Sequence, residues 1–217
     1  LLVQLIAALG SAPIVSGTYV PFDPSAASAN KQADQFELLV ERGVANWQQI
    51  LPTSKIISNV WFARNPLDQN GLDLLVKAGV RSVVMLPTSS AALGEFDNAA
   101  RPYRLSSNNT DISLHLADKN YVDQLSKPTT SAFSAATYLA AQILAQRNQI
   151  ESEGGTPALR RVVLTSRDGS VINEGLIHET MLILSRVPQQ VALRTLVNLP
   201  APRLDASKPS LPKVNTA

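Results

Sequence analysis

The chain contains no cysteine, which excludes disulfides, thiolate nucleophiles and cysteine-ligated zinc or iron–sulfur centres. Histidine is nearly as scarce: His115 and His178 are the only two, and they share no short metal-ligand spacing. Aromatic residues make up 5% of the chain, too few for a repeated platform on which single-stranded nucleic acid would stack. An excess of one charge is missing as well. Nineteen Lys and Arg face 17 Asp and Glu, a formal charge of +2. No Lys/Arg cluster stands out, so a nucleic-acid partner is not expected. Nor is there a G-x-G-x-x-G, a G-K-[ST] or a G-x-S-x-G segment, and no nucleotide cofactor or esterase elbow is expected. No cofactor of any kind is read from the chain.

What remains is an ordinary globular composition. Hydrophobic residues are 45% and charged residues 17% of 217 positions, which excludes a disordered binding tail. One domain is the default at this length, able to bury roughly 70% of the surface its unfolded chain exposes. The opening run LLVQLIAALG is too short to cross a bilayer and lacks a basic leading segment. It reads as the end of a core helix, and a chain beginning inside an element without Met is expected to be a piece of a longer protein. A domain over 1–197 is expected, followed by a Pro-rich tail or linker over 198–217 with few large apolar groups.

Periodicity and breakers place the elements. Ile14 to Val20 and Lys55 to Phe62 read as strands, as do 80–86 (VRSVVML), Asp111 to Ala117 and 160–166 (RRVVLTS). A final strand is expected from Val191 to Val197. Helices are expected over 32–42, stopped by Gly43, and over 47–51. Others are expected over Leu72 to Ala78 closed by Gly79, over 119–125, over 131–149 and over 174–187. In the longest of these, Ala136, Ala140, Ile143 and Leu144 form one apolar stripe. Thr88 to Ser107 carries no clear period and is read as a short helix plus a surface loop. Strand, helix, Gly and strand over Ile56 to Leu86 make a βαβ unit, because the intervening helix permits a parallel crossover. The fold class is α/β, read as an irregular or incomplete (β/α) barrel, since a closed eight-stranded barrel takes about 250 residues. Composition and spacing leave an open layered sheet as the alternative.

Three segments carry a resemblance: GTYVPFDP at 17–24, VWFARNPLDQNGLDLLVKAGVRSVVMLP at 60–87 and ISLHLAD at 112–118. With the Ala-rich helix and RRVVLTS they resemble an uncharacterised actinobacterial exported family encoded beside the lipid II flippase gene. The barrel is similar to those of glycoside hydrolases and polysaccharide deacetylases. The resemblance implies an extracytoplasmic, membrane-associated cell-envelope protein, anchored near its C-terminus. It also implies a role in peptidoglycan assembly, with wall glycan or the flippase as partner; the piece at hand carries no membrane span of its own. Working deacetylases hold a metal with a paired-Asp segment and an H-x-x-x-H pair, and neither motif occurs here.

In parallel α/β folds ligands gather at the C-terminal ends of strands. The polar residues at those ends are Tyr19 with Asp23, Trp61 with Arg64, His115 with Asp118, and Arg167 with Asp168. Asp23, His115 and Asp118 are the candidate catalytic residues. The two carboxylates would do acid/base work on a glycosidic bond if they faced each other across about 5 to 9.5 Å. Each has a plainer reading: Asp23, before Pro24 in a loop, could order the turn, Asp118 could cap the helix beginning near Lys119, and His115 is a lone strand histidine. Tyr19, Trp61, Arg64 and Arg167 are the candidate ligand-binding residues. Aromatic faces stack on sugar rings and guanidinium forks onto carboxylate or phosphate. Trp61 reads first as core or rim packing, and Asp-Gly after Arg167 first as a turn. His178, four residues after Glu174, reads as a helix-face residue. The expected function is a non-catalytic envelope module that scaffolds or binds wall glycan or a membrane partner. A carboxylate-dependent glycoside hydrolase is the alternative.

Overall fold

A computed structural model describes residues 14–86, 103–107, 110–126, 131–154, 161–165, 173–188 and 191. The described residues divide between two compact units. The first draws on Leu1–Glu95 and Arg104–Leu114, the second on Phe96–Tyr103 and His115–Leu211.

Two strands form the smaller sheet. β1 (Ile14–Val15) pairs in parallel with β2 (Ile56–Ile57). Between them run α1 (Pro24–Ala29) and α2 (Ala33–Ile50). The larger sheet has the order β3-β4-β6-β5, with β3 (Val60–Ala63), β4 (Ser82–Met85), β5 (Tyr103–Ser107) and β6 (Thr110–Leu116). β3 and β4 are parallel, with Val60 opposite Ser82 and Ala63 opposite Met85, and α3 (Gln69–Lys77) is their crossover. Val83, Val84 and Met85 are fully buried, as befits strands covered on both faces.

Why α3 stops where it does is visible in its last turn. Gly79 takes φ +89°, its N–H bonds to Val76 O, and the Val80 N–H reaches back to Leu75 O at 3.0 Å. That is a Schellman closure, with Val80 packed in the core beside Leu75.

The barrel expectation is corrected: the fold is α/β, but both sheets are open. Three local causes stand behind this. The run 55–62 is not one strand; it breaks at Ser58–Asn59, so β2 and β3 join different sheets. β5 and β6 are neighbours separated by two residues, too few for the crossover that parallel pairing needs. Of the RRVVLTS segment, the described residues 161–165 contribute a single parallel bridge, Ala117 to Val163, rather than a strand. Among the described residues, no strand closes either sheet on itself.

Gly43 does not stop a helix. α2 runs through it, and a Cβ there would lie 2.1 Å from Gly17 O and 3.2 Å from Tyr19 N. The missing side chain admits the loop after β1, whose Tyr19 N–H donates to Leu39 O at 2.8 Å.

In the second unit α4 (Lys119–Leu125), α5 (Ala132–Ser152) and α6 (Glu174–Ser185) pack together. Tyr121, Leu125, Ala136, Leu139, Ala140, Ile143, Leu176 and Leu184 form their core. The α5 stripe is the expected one with Leu139 added and Leu144 only partly buried. Ser131 caps α5 through the Ser134 N–H, and Asn173 caps α6 through the Leu176 N–H. The stretches 1–13, 192–197 and 198–217 lie outside the described residues, and with them the first helix, the last strand and the tail.

Among the described residues no helix is long and apolar enough to cross a membrane. α2 carries Asp34, Glu37, Glu41 and Arg42, and α5 carries Arg147 and Glu151 among several Gln. The membrane-associated reading is corrected to that extent: among the described residues no helix supplies a membrane span.

Candidate functional site

In the first unit, two loops leaving strand ends meet. The loop after β1 leads into α1 and the loop after β3 into α3; Ser25 Oγ, on α1, accepts the Asp68 N–H at 3.0 Å. Gly71, at the head of α3, packs against Ser25, where a Cβ would lie 2.8 Å from the Ser25 backbone nitrogen.

The carboxylates on this edge serve the helices. Asp23 Oδ1 accepts the Ala26 N–H at 2.8 Å and heads α1. Asp68 Oδ1 accepts the Gly71 N–H at 2.7 Å and heads α3. Both helix starts would otherwise leave backbone donors unpaired.

The aromatic candidates separate sharply by exposure. Trp61 is 9% exposed, its ring 5.5 Å from that of Phe36, which in turn lies 6.3 Å from Phe22. No face of Trp61 is presented to a sugar. Tyr19 is 56% exposed, with Val20 beside it at 47%, and its backbone is anchored through Leu39. Arg64 is exposed at the end of β3.

In the second unit, the end of β6 meets the segment at 161–165. Leu116, Asp118, Tyr121, Gln146, Arg161 and Val163 line a seam too tight to admit a water molecule. Tyr121 donates its hydroxyl to Gln146 Oε1 at 2.9 Å. Burial, and then the charge of Asp118, push the phenol up to about 12. Asp118 Oδ1 accepts the Asn120 N–H at 2.7 Å and caps α4.

His115 is 2% exposed, and among the described residues its Nε2 has no hydrogen-bond partner. Burial first, and the neighbouring Arg161 charge second, lower it to about 4. The imidazole is therefore neutral at physiological pH and a weak base. Burial also lowers Arg161 from its usual range.

Sequence reasoning missed Arg161, Tyr121 and Gln146 as neighbours of Asp118. Arg161 was legible only as the start of an apolar strand, and nothing in a one-dimensional pattern marks a guanidinium that turns inward. Arg167 and Asp168 lie outside the described residues. His178 sits exposed on α6.

A wider groove of about 500 Å³ runs along helix faces of the first unit, lined by Ser28, Ala33, Asn70, Asp73, Leu74 and Lys77. Asp73 is held there by Gln69 at 2.7 Å and by the Ser107 hydroxyl. Among the described residues no group of three His, Asp or Glu is placed to hold a metal ion, and the deacetylase metal motifs are absent from the sequence.

No family model matches the chain, and no curated protein is similar to it in sequence. Among solved structures, a 4-alpha-glucanotransferase from Thermococcus litoralis is similar over 84% of this chain, with TM-score 0.55 and 12% identity. A putative polysaccharide deacetylase from Mycobacterium smegmatis is similar over 85%, with TM-score 0.49 and 14% identity. The chain spans 26% of the first protein and 60% of the second. At such identity the likeness to the glucanotransferase concerns the fold alone.

Proposed function

We propose that this chain is part of an extracytoplasmic cell-envelope module that binds wall glycan without turning it over. The observation that carries the reading is the division of labour at the strand ends. Asp23 and Asp118, the carboxylates a hydrolase would need, each give an oxygen to a helix N-terminus. Tyr19 meanwhile offers a half-exposed ring. An exposed ring on a braced loop suits the apolar face of a pyranose, and it needs no acid/base pair. The same proposal takes in the resemblance to the actinobacterial family encoded beside the lipid II flippase, which supplies the cell-wall setting.

The test is a titration of soluble muropeptides into the protein, followed by amide NMR shifts over residues 17–23. Saturable shifts are expected. Tyr19→Ala should weaken binding about tenfold or more, the equivalent of about 1.4 kcal/mol. Trp61→Phe should leave affinity unchanged, because the buried ring does not meet ligand. Shifts that survive Tyr19→Ala, or no saturation at all, would refute the glycan reading and turn attention to the flippase as a protein partner. Turnover of a wall polymer that vanishes in Asp23→Asn or Asp118→Asn would overturn the non-catalytic part and restore the hydrolase.

A further inference from the structure

We propose that the groove lined by α1, α2 and α3 is a site for one neutral sugar ring, recognised through its hydroxyl groups. The inference uses no atom of Tyr19, so it holds or fails apart from the reading above. The groove offers about 500 Å³, within the range of small-ligand sites. Ser28 lines it from α1 and Ala33 from α2, while Asn70, Asp73, Leu74 and Lys77 come from α3.

Asp73 is the group that singles this groove out. It stands in the middle of a nine-residue helix, where Asp is a poor helix former. Other carboxylates of the first unit cap helices, as Asp23 and Asp68 do, or pair with a cation, as Glu37 and Asp111 do. Among the described residues Asp73 does neither. Gln69 Nε2 donates to its Oδ1 at 2.7 Å, and the Ser107 hydroxyl on β5 donates to the same oxygen. Two neutral donors on two elements thus fix the carboxylate, and among the described residues Oδ2 accepts nothing.

The neighbouring groups select the ligand. Lys77, the cation on the lining, is taken up by Glu37 at 2.7 Å, so a phosphate or carboxylate would meet Asp73 with no free counter-charge. Among the described residues the Ser28 hydroxyl and the Asn70 amide have no side-chain partner. An ammonium could serve Asp73, but it has no acceptor for the Asn70 N–H or the Ser28 O–H. A hydroxyl both donates and accepts, so the adjacent hydroxyls of one ring can serve all three groups together. The lining carries no aromatic ring, and without a stacking face binding should be weak.

Amide NMR shifts of the intact chain, followed while glucose is titrated in, test this. Saturable shifts are expected over 28–33 and 70–77, with a Kd on the order of 1 mM or weaker. Glucosamine presents the same ring as a cation and glucose 6-phosphate presents it as an anion; each should bind more weakly than glucose. Asn70 is exposed, so Asn70→Ala should fold normally and weaken glucose about fivefold, the loss of one neutral hydrogen bond. Asp73→Asn keeps the shape and the bond from Ser107, and should weaken it about tenfold through loss of a charged acceptor. Tyr19→Ala should leave these shifts unchanged. If Asp73 only ties β5 to α3, Asp73→Asn lowers the urea midpoint while glucose gives no saturable shift, and the proposal falls. Tighter binding of glucosamine or glucose 6-phosphate, unchanged affinity in both Asn70→Ala and Asp73→Asn, or loss of the shifts in Tyr19→Ala would each overturn it as well.

Discussion

Replacing Gly43 by Ala sets two physical effects against each other, with opposite signs. Gly43 lies inside the 18-residue helix α2, where Ala is intrinsically better by about 1 kcal/mol. Helix propensity alone therefore makes Gly43→Ala stabilising. The packing says otherwise. The new Cβ would sit 2.1 Å from Gly17 O, with Gly17 C and Tyr19 N each at 3.2 Å. All three are backbone atoms, so no side chain can rotate aside, and the loop after β1 must retreat by about 1 Å to restore ordinary contact. Such overpacking costs about 1–3 kcal/mol. The retreat also stretches the 2.8 Å hydrogen bond from the Tyr19 N–H to Leu39 O, worth about 1 kcal/mol. The sum is a net destabilisation of about 1–3 kcal/mol, read as a lower urea midpoint with unchanged slope. Gly175→Ala is the control. It lies in the first turn of α6, and the nearest atoms to its Cβ would be 3.3 Å and 3.4 Å away, so it should be neutral or slightly stabilising. A Gly43→Ala variant as stable as the parent would show that the loop after β1 does not rest on α2, and would remove the anchor for Tyr19.

The chain should also lose stability in mild acid. His115 lies near 4 in the folded state against 6.5 when exposed, so below pH 6.5 the unfolded state takes up a proton that the native state refuses. The His115 contribution is fully present above about pH 6.5 and declines towards pH 4, by about 2 kcal/mol at pH 5. Urea midpoints at pH 7.5 and 5 should separate the parent from His115→Asn, whereas His178→Asn should follow the parent; equal slopes in all three would refute the assignment. Asp23→Ala and Asp118→Ala each remove an N-cap and should each cost about 1 kcal/mol in thermal or urea unfolding. Full stability in either variant would free that carboxylate from its capping role.

The elements that were legible in the sequence are those whose cause is local. The βαβ unit follows from apolar runs, the amphipathic Gln69–Lys77 helix and the left-handed Gly79, all within 26 consecutive residues, Val60 to Met85. The capping role of Asp118 was readable for the same reason, because it bonds a backbone N–H two residues ahead, whereas Asp23 was read as ordering a turn and the short Pro24–Ala29 helix it caps was read as loop. Gly43 was misread as a helix stop because its real partner, Gly17 O, lies in a separate loop. The Tyr103–Ser107 strand was missed because its pairing with β6, not its own period, defines it.

The candidate site divides along the same line. Sequence position put Tyr19 and Trp61 alike at strand ends, but only packing distinguishes a ring closed against Phe36 from one left half in solvent. It placed His115 in a strand, whereas its unpartnered Nε2 and its exposure to the Arg161 charge depend on a segment more than 40 residues further along. By itself, then, the sequence determined the α/β class, the Asp118 cap and the lack of thiols and of the deacetylase metal motifs, since composition and near-neighbour hydrogen bonding suffice for those. Whether the sheets would close, which ring would face water and which titratable group would be held neutral were decided by tertiary structure. Strand pairing and burial depend on partners distant in the chain, and no local pattern encodes them.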